Sequence, residues 1–195
     1  ILGQKASYAL QGTVSSGGTT IANASLQVAS IEQPQSRLEV RASLAGSEPD
    51  LALDIALHDT GDFLMQHAGV PENETVHIDI EGDGPLAQWK GTLQAEAEPY
   101  GDIDADIALS WTDEIGLALD ATVLPATEVF GATIASAVPA KAQVEIDGTV
   151  RTNEISVSNL TVNSAKASAD FQGNVHFKTK QIAAHGKVEV EDFAS

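Results

Sequence analysis

Apolar and polar residues alternate with a period of two along most of this chain. Leu38, Val40, Ala42 and Leu44 interleave with Arg37, Glu39, Arg41 and Ser43, while Ile103, Ala105, Ile107, Leu109 and Trp111 interleave with Asp102, Asp104, Asp106, Ala108 and Ser110. Successive strand side chains point to opposite sides of a sheet, so the pattern predicts a sheet with one apolar face and one wet, acidic face. Twelve strands are expected, over residues 8–14, 20–29, 37–45, 51–58, 75–82, 89–98, 102–112, 115–124, 142–150, 154–163, 166–177 and 182–191. Turn chemistry separates them: Ser16-Gly17-Gly18, Gly46-Ser47-Glu48-Pro49, Gly82-Asp83-Gly84-Pro85, Pro99-Tyr100-Gly101, Asp147-Gly148 and Arg151-Thr152-Asn153. Connections this short hold no crossover helix, so neighbouring strands should pair antiparallel as a meander.

Two segments break the rhythm. Residues 61–69 read as a short helix, with Thr60 or Asp62 as cap and Gly69 closing it before Pro71. Residues 125–138 have apolar spacing near that of a helix and stop at Pro139; with Gly131 inside them they read as a helix or an apolar loop. These breaks leave three strand groups, 1–58, 75–124 and 142–195, similar in style but without an exact repeat. No long flexible linker divides them, so residues 1–195 are expected to form a single elongated, curled and mostly antiparallel open sheet, all-β apart from the two insertions.

Composition constrains what the apolar face can be. Aromatics make up only 5 % of the chain, and the apolar positions are mostly Ala, Val, Leu and Ile. Such a lining suits a smooth surface better than an interlocked core. A closed β-sandwich serving adhesion or carbohydrate binding is the alternative, weakened by the scarcity of aromatics. A net charge of −18 repels phosphate backbones and anionic headgroups, which disfavours nucleic-acid binding and electrostatic docking on a membrane. The acidic face instead keeps an extended sheet soluble and blunts its association. With no cysteine, disulfides, thiolate metal sites and thiol catalysis are excluded. No apolar run is long enough to span a bilayer. Beginning at Ile1, the chain reads as a fragment of a longer protein, whose anchor or targeting segment would lie outside it.

No motif points to catalysis. Asp102, Asp104 and Asp106 resemble the start of a calcium loop, but Ile107 stands where its glycine is needed and the intervening residues alternate as a strand does. His58, His67, His77, His176 and His185 include no pair at helical metal-ligand spacing, and His77 and His176 occupy polar strand positions. There is no nucleophile elbow, phosphate loop or dinucleotide fingerprint, and no carboxylate pair whose spacing argues for a hydrolase. An enzyme is not expected, nor is a cofactor. The side chains expected to line the apolar trough are Leu53, Ile55, Val76, Ile78, Ile80, Trp89, Leu93, Ile103, Ile107, Leu109, Trp111, Leu117, Leu119, Val144 and Ile146. Both tryptophans are in phase with the apolar series of their strands.

The segment Glu81-Gly82-Asp83-Gly84-Pro85-Leu86-Ala87-Gln88-Trp89-Lys90-Gly91-Thr92-Leu93-Gln94-Ala95-Glu96-Ala97 resembles a phrase of the translocation and assembly module TamB family, where G-x-G-P-L-x-x-W leads into a strand x-G-x-L-x-A-x-A. The run Ile155 to Val162, followed by Ala167 to Val175, is similar to the strand, small-residue turn, strand repeat of TamB and the wider AsmA-like proteins. The resemblance implies a Gram-negative envelope protein, anchored in the inner membrane by a helix outside this chain and reaching across the periplasm. It implies a sheet curled into a hydrophobic trough, a β-taco, that carries phospholipid acyl chains between the membranes. It also implies a part in outer-membrane protein assembly with a TamA-like barrel. The family brings no catalytic residues.

Overall fold

The computed structural model describes residues 6–17, 19–31, 33, 35–46, 49–60, 74–126, 139–179 and 181–190. Twelve strands run in chain order: β1 (Ala6–Gly17), β2 (Thr19–Ser30), β3 (Arg37–Ala45), β4 (Asp50–Asp59), β5 (Val76–Pro85), β6 (Trp89–Ala97), β7 (Gly101–Trp111), β8 (Ile115–Pro125), β9 (Ala142–Arg151), β10 (Glu154–Ser164), β11 (Ala167–His176) and β12 (Gln181–Val190). All join one sheet whose spatial order is the chain order, every neighbouring pair is antiparallel, and β1 and β12 do not meet. The sheet is therefore a meander left open at both edges, and the described strands form no second sheet to make a sandwich. The two expected insertions, 61–69 and 125–138, lie outside the described residues apart from Pro125 and Ala126.

Short connections build this order. The β5–β6 hairpin closes through a single 3-10 turn, Leu86–Gln88, and strand geometry runs on through Gly82, Asp83, Gly84 and Pro85. That corrects the turn expected at those four residues: Gly82 pairs with Leu53 and Gly84 with Leu51, so the segment stays in the ladder with β4, Gly84 taking a φ of +136° at its end. Asp147-Gly148 is likewise no turn but the middle of β9. Opposite it, β10 carries a bulge between Val157 and Asn159. A side chain at Gly148 would sit 2.7 Å from the Ser156 carbonyl oxygen, so the glycine marks a close backbone approach. The bulge shifts the parity of β10, and its apolar residues change from Ile155 and Val157 to Leu160 and Val162 without changing face.

Hairpins alternate between the two ends of the sheet, so the connections after β2, β4, β6, β8 and β10 share one end. There a polar network ties β2 and β3 to the end of β4. The Ser36 hydroxyl accepts from Thr60 N–H at 3.1 Å and lies 3.0 Å from Thr60 Oγ1, while Ser30 Oγ accepts from Gln33 N–H at 3.0 Å. Ser30 and Ser36 are buried, as is Asp59 beside them. At the same end the β6–β7 turn is pinned on both sides, with Glu98 N–H donating to Thr75 O at 2.9 Å and Ala126 N–H to Tyr100 O at 2.8 Å. Glu74 accepts from the Tyr100 hydroxyl, which raises that phenol above its ordinary pKa.

Candidate functional site

Residues directly opposite one another in an antiparallel pair share a face, so the registers place every strand's side chains. One row runs Leu26, Val40, Ile55, Ile80, Leu93, Ala105, Ala121, Val144, Val162, Ala169 and Val188, crossing from β2 to β12 without a polar residue. The next runs Leu53, Gly82, Gly91, Ile107, Leu119, Ile146, Leu160, Phe171 and Gly186 from β4 to β12, again wholly apolar. The fifteen residues expected to line the trough all lie on this face: Leu53 and Ile55 on β4, Val76, Ile78 and Ile80 on β5, Trp89 and Leu93 on β6. Ile103, Ile107, Leu109 and Trp111 on β7, Leu117 and Leu119 on β8, and Val144 and Ile146 on β9 complete the set.

These residues differ in shelter. Val76 and Trp89 are 3 % and 1 % exposed, Ile103 and Trp111 are 37 % and 48 % exposed, and the others are half-buried. The apolar face is the sheltered one along β6, where Gly91, Leu93, Ala95 and Ala97 are half-buried and Lys90, Thr92, Gln94 and Glu96 exposed. It is not sealed, however. The chain exposes 12612 Å², against roughly 8,800 Å² for a compact protein of this mass.

Trp89 occupies a seat made of glycine. A side chain at Gly82 would lie 2.3 Å from the indole Cζ2, and one at Gly91 2.4 Å from Cη2. Gly82 and Gly91 are direct cross-strand partners, so the indole covers a paired bare patch of two strands. Phe171 covers Gly186 in the same way, with its Cδ1 2.2 Å from where a side chain would begin. Rings laid over glycines keep the face smooth. The indole Nε1 is buried without a hydrogen-bond partner, a donor held among apolar groups.

Several members of the face are absent from the expected set: Leu26, Val28, Leu38, Val40, Leu57, Leu160, Val162 and Phe171. The alternation of β3 carried the signal for Leu38 and Val40. For Leu160 and Val162 the bulge conceals it.

The opposite face is acidic. Asp106, Asp120 and Glu145 stand directly opposite one another on three adjacent strands. A twisted open sheet is saddle-shaped, and hollows of about 450 Å³ and 530 Å³ open on this side, the first lined by Gln94, Asp104, Asp120, Thr122, Gln143 and Glu145 among others. Asp102, Asp104 and Asp106 are exposed here along β7, and among the described residues no group of three or more His, Asp or Glu is placed to hold a metal. Ion pairs among the described residues include Arg41 with Glu39 at 2.9 Å and Asp54 at 3.2 Å, Arg151 with Glu114 at 2.6 Å, and Lys187 with Glu189. The Glu114 bond raises the Arg151 guanidinium above its ordinary pKa.

The fold and this face define the class, an open single-sheet β protein with two apolar rows that run unbroken across one side. No family model matches the chain, and neither a curated protein nor a solved structure is significantly similar to it.

Proposed function

We propose that this chain is part of a periplasmic envelope protein resembling the TamB family, and that its apolar face carries phospholipid acyl chains between the inner and outer membranes. The observation that supports this reading is the pair of apolar rows unbroken across the strands, on a sheet against which no second sheet packs among the described residues. Burial is worth about 0.8 kcal/mol per methylene, so an acyl chain is held along such a row without a specific contact. Ala, Val, Leu and Ile, with rings lying flat over glycines, offer few steps against sliding. The headgroup remains in water at the margin, clear of the acidic face. In this reading the chain performs no chemistry, and its longer parent is anchored in the inner membrane. A contribution to outer-membrane protein assembly with a TamA-like barrel would use the same sheet, through strand addition at its open edges.

Native mass spectrometry of the chain expressed in bacteria tests the reading, with co-purified phospholipid as the expected result. Trp111, half exposed on the apolar face, serves as the reporter in a Trp89→Phe background, where brominated acyl chains should quench its fluorescence. Protein free of lipid whose Trp111 is not quenched would overturn the proposal.

A further inference from the structure

Two histidines far apart in the chain meet on the acidic face. His58 on β4 is the direct cross-strand partner of His77 on β5, and their rings pack edge to face with centroids 5.8 Å apart and planes at 79°. Both lie on the side that carries Asp54, Asp79 and Glu81, away from the apolar rows. His58 is half-buried and the His77 side chain is 47 % exposed, so both rings are open to solvent.

The spacing of the rings is close to that of a chelate. Zinc binds imidazole nitrogen at about 2.0–2.1 Å, which sets the centroids of two rings on one tetrahedral ion about 5 Å apart. Rotation about the soft torsion of either ring closes the remaining gap from 5.8 Å. A carboxylate also orients one ring. His77 Nε2 lies 3.0 Å from Asp79 Oδ2, which favours the proton on Nε2 and leaves the Nδ1 lone pair for a metal. Metal-bound histidines are commonly held in this way, with the second ring nitrogen on a carboxylate. The other charges around the pair are Arg37, opposite His58 on β3 and 3.7 Å from Glu39, and Glu96, opposite His77 on β6. Asp79 and Glu96 outweigh Arg37, and the net charge of −18 concentrates cations at the surface.

We propose that His58 and His77 together bind a divalent transition-metal ion that prefers imidazole, such as Zn2+, with Asp79 positioning His77 and water completing the coordination. Imidazole nitrogen selects such ions over Ca2+ and Mg2+, which take oxygen ligands. Two protein ligands without a third agree with the lack of any three-ligand group among the described residues. The bound ion ties β4 to β5 one rung from the end of their ladder. Acyl-chain carriage is not involved, because the site lies on the opposite face. No sequence spacing announces the pair, which exists only through the β4–β5 register.

Calorimetric titration of Zn2+ into the untagged 195-residue chain tests the site. One ion should bind per chain, with affinity at least tenfold lower in His58→Asn and in His77→Asn and unchanged in His185→Asn. Asp79→Ala, which keeps both ligands and removes the orienting carboxylate, should weaken binding about tenfold. Because both rings reach solvent, the variants should keep the far-ultraviolet circular dichroism spectrum of the wild type. Zn2+ should raise the thermal unfolding midpoint of the wild type and not that of His58→Asn. A large excess of Ca2+ should not displace the ion. Equal Zn2+ affinity in the wild type and the His58 and His77 variants, or displacement by Ca2+, would overturn the proposal.

Discussion

Glycine and tryptophan together set the shape of the apolar face at the scale of single residues. In a strand interior glycine costs stability because it has no side chain to pack. Gly82 and Gly91 escape that cost because the Trp89 ring lies where their side chains would be, and the ring itself is nearly inaccessible. A methyl group at Gly91 would meet Cη2 at 2.4 Å and the Glu81 carbonyl oxygen at 2.6 Å, so the indole would have to lift from its seat. Overpacking of this kind costs about 1–3 kcal/mol. Gly91→Ala should therefore lower the urea midpoint and shift the Trp89 emission to the red, read in a Trp111→Phe background. An unchanged midpoint and emission would show that the ring is not held by the glycines. The alternation around Trp89 reveals which way the side chain points, but not that it lies down. Gly91 is two residues on along the strand and Gly82 is brought opposite only by the β5–β6 hairpin, so the seat exists only once register is known.

Between strands, the same registers that align the apolar rows also align carboxylates. Asp120 faces Asp106 on one side and Glu145 on the other. Like charges directly opposite are destabilising by a few tenths to about 1 kcal/mol. Asp120→Asn should raise stability in low-salt urea titrations, and the gain should shrink as salt screens the repulsion. A loss of stability at low salt would mean that Asp120 supports the sheet in some other way. At this scale most strands were legible beforehand. Arg37–Ala45 has the bounds that its alternation predicts, and most other strands differ by a residue or two at an end. The failures have a common physical origin. Glycine next to Asp or Pro reads as a turn because glycine relieves backbone strain, yet Gly82 and Gly148 serve as places where another strand or a ring comes close. Local chemistry alone does not separate these two uses. The β10 bulge hides in the same way, since Ser158 and Asn159 shift the parity by one and only the β9 ladder shows that the face is kept.

The whole molecule exposes ~1.4 times the surface of a compact protein of its mass, which follows from comparing 12612 Å² with the expected value. Among the described residues the apolar side chains pack against their neighbours in the plane of one sheet, with no second sheet beneath them. Introducing a charge therefore means something different here than in a closed core. In a sealed interior an unpaired carboxylate is driven out at a cost of several kcal/mol, enough to unfold a marginal domain. On an open face the carboxylate keeps much of its water, and the fold should survive. Ile107 and Leu109 are half-buried on β7, with Gly91 and Trp89 opposite on β6 and Leu119 and Leu117 opposite on β8. Ile107→Asp and Leu109→Asp place a charge in the path along which an acyl chain would lie. Each variant should retain its circular dichroism spectrum and most of its thermal stability, and lose at least tenfold in affinity for a brominated fatty acid. Unfolding of both variants would identify the face as a closed core instead. Wild-type stability with undiminished binding would place the acyl chain elsewhere on the sheet. The ordering of the two effects, binding lost before folding, is what an exposed working surface demands and a core forbids.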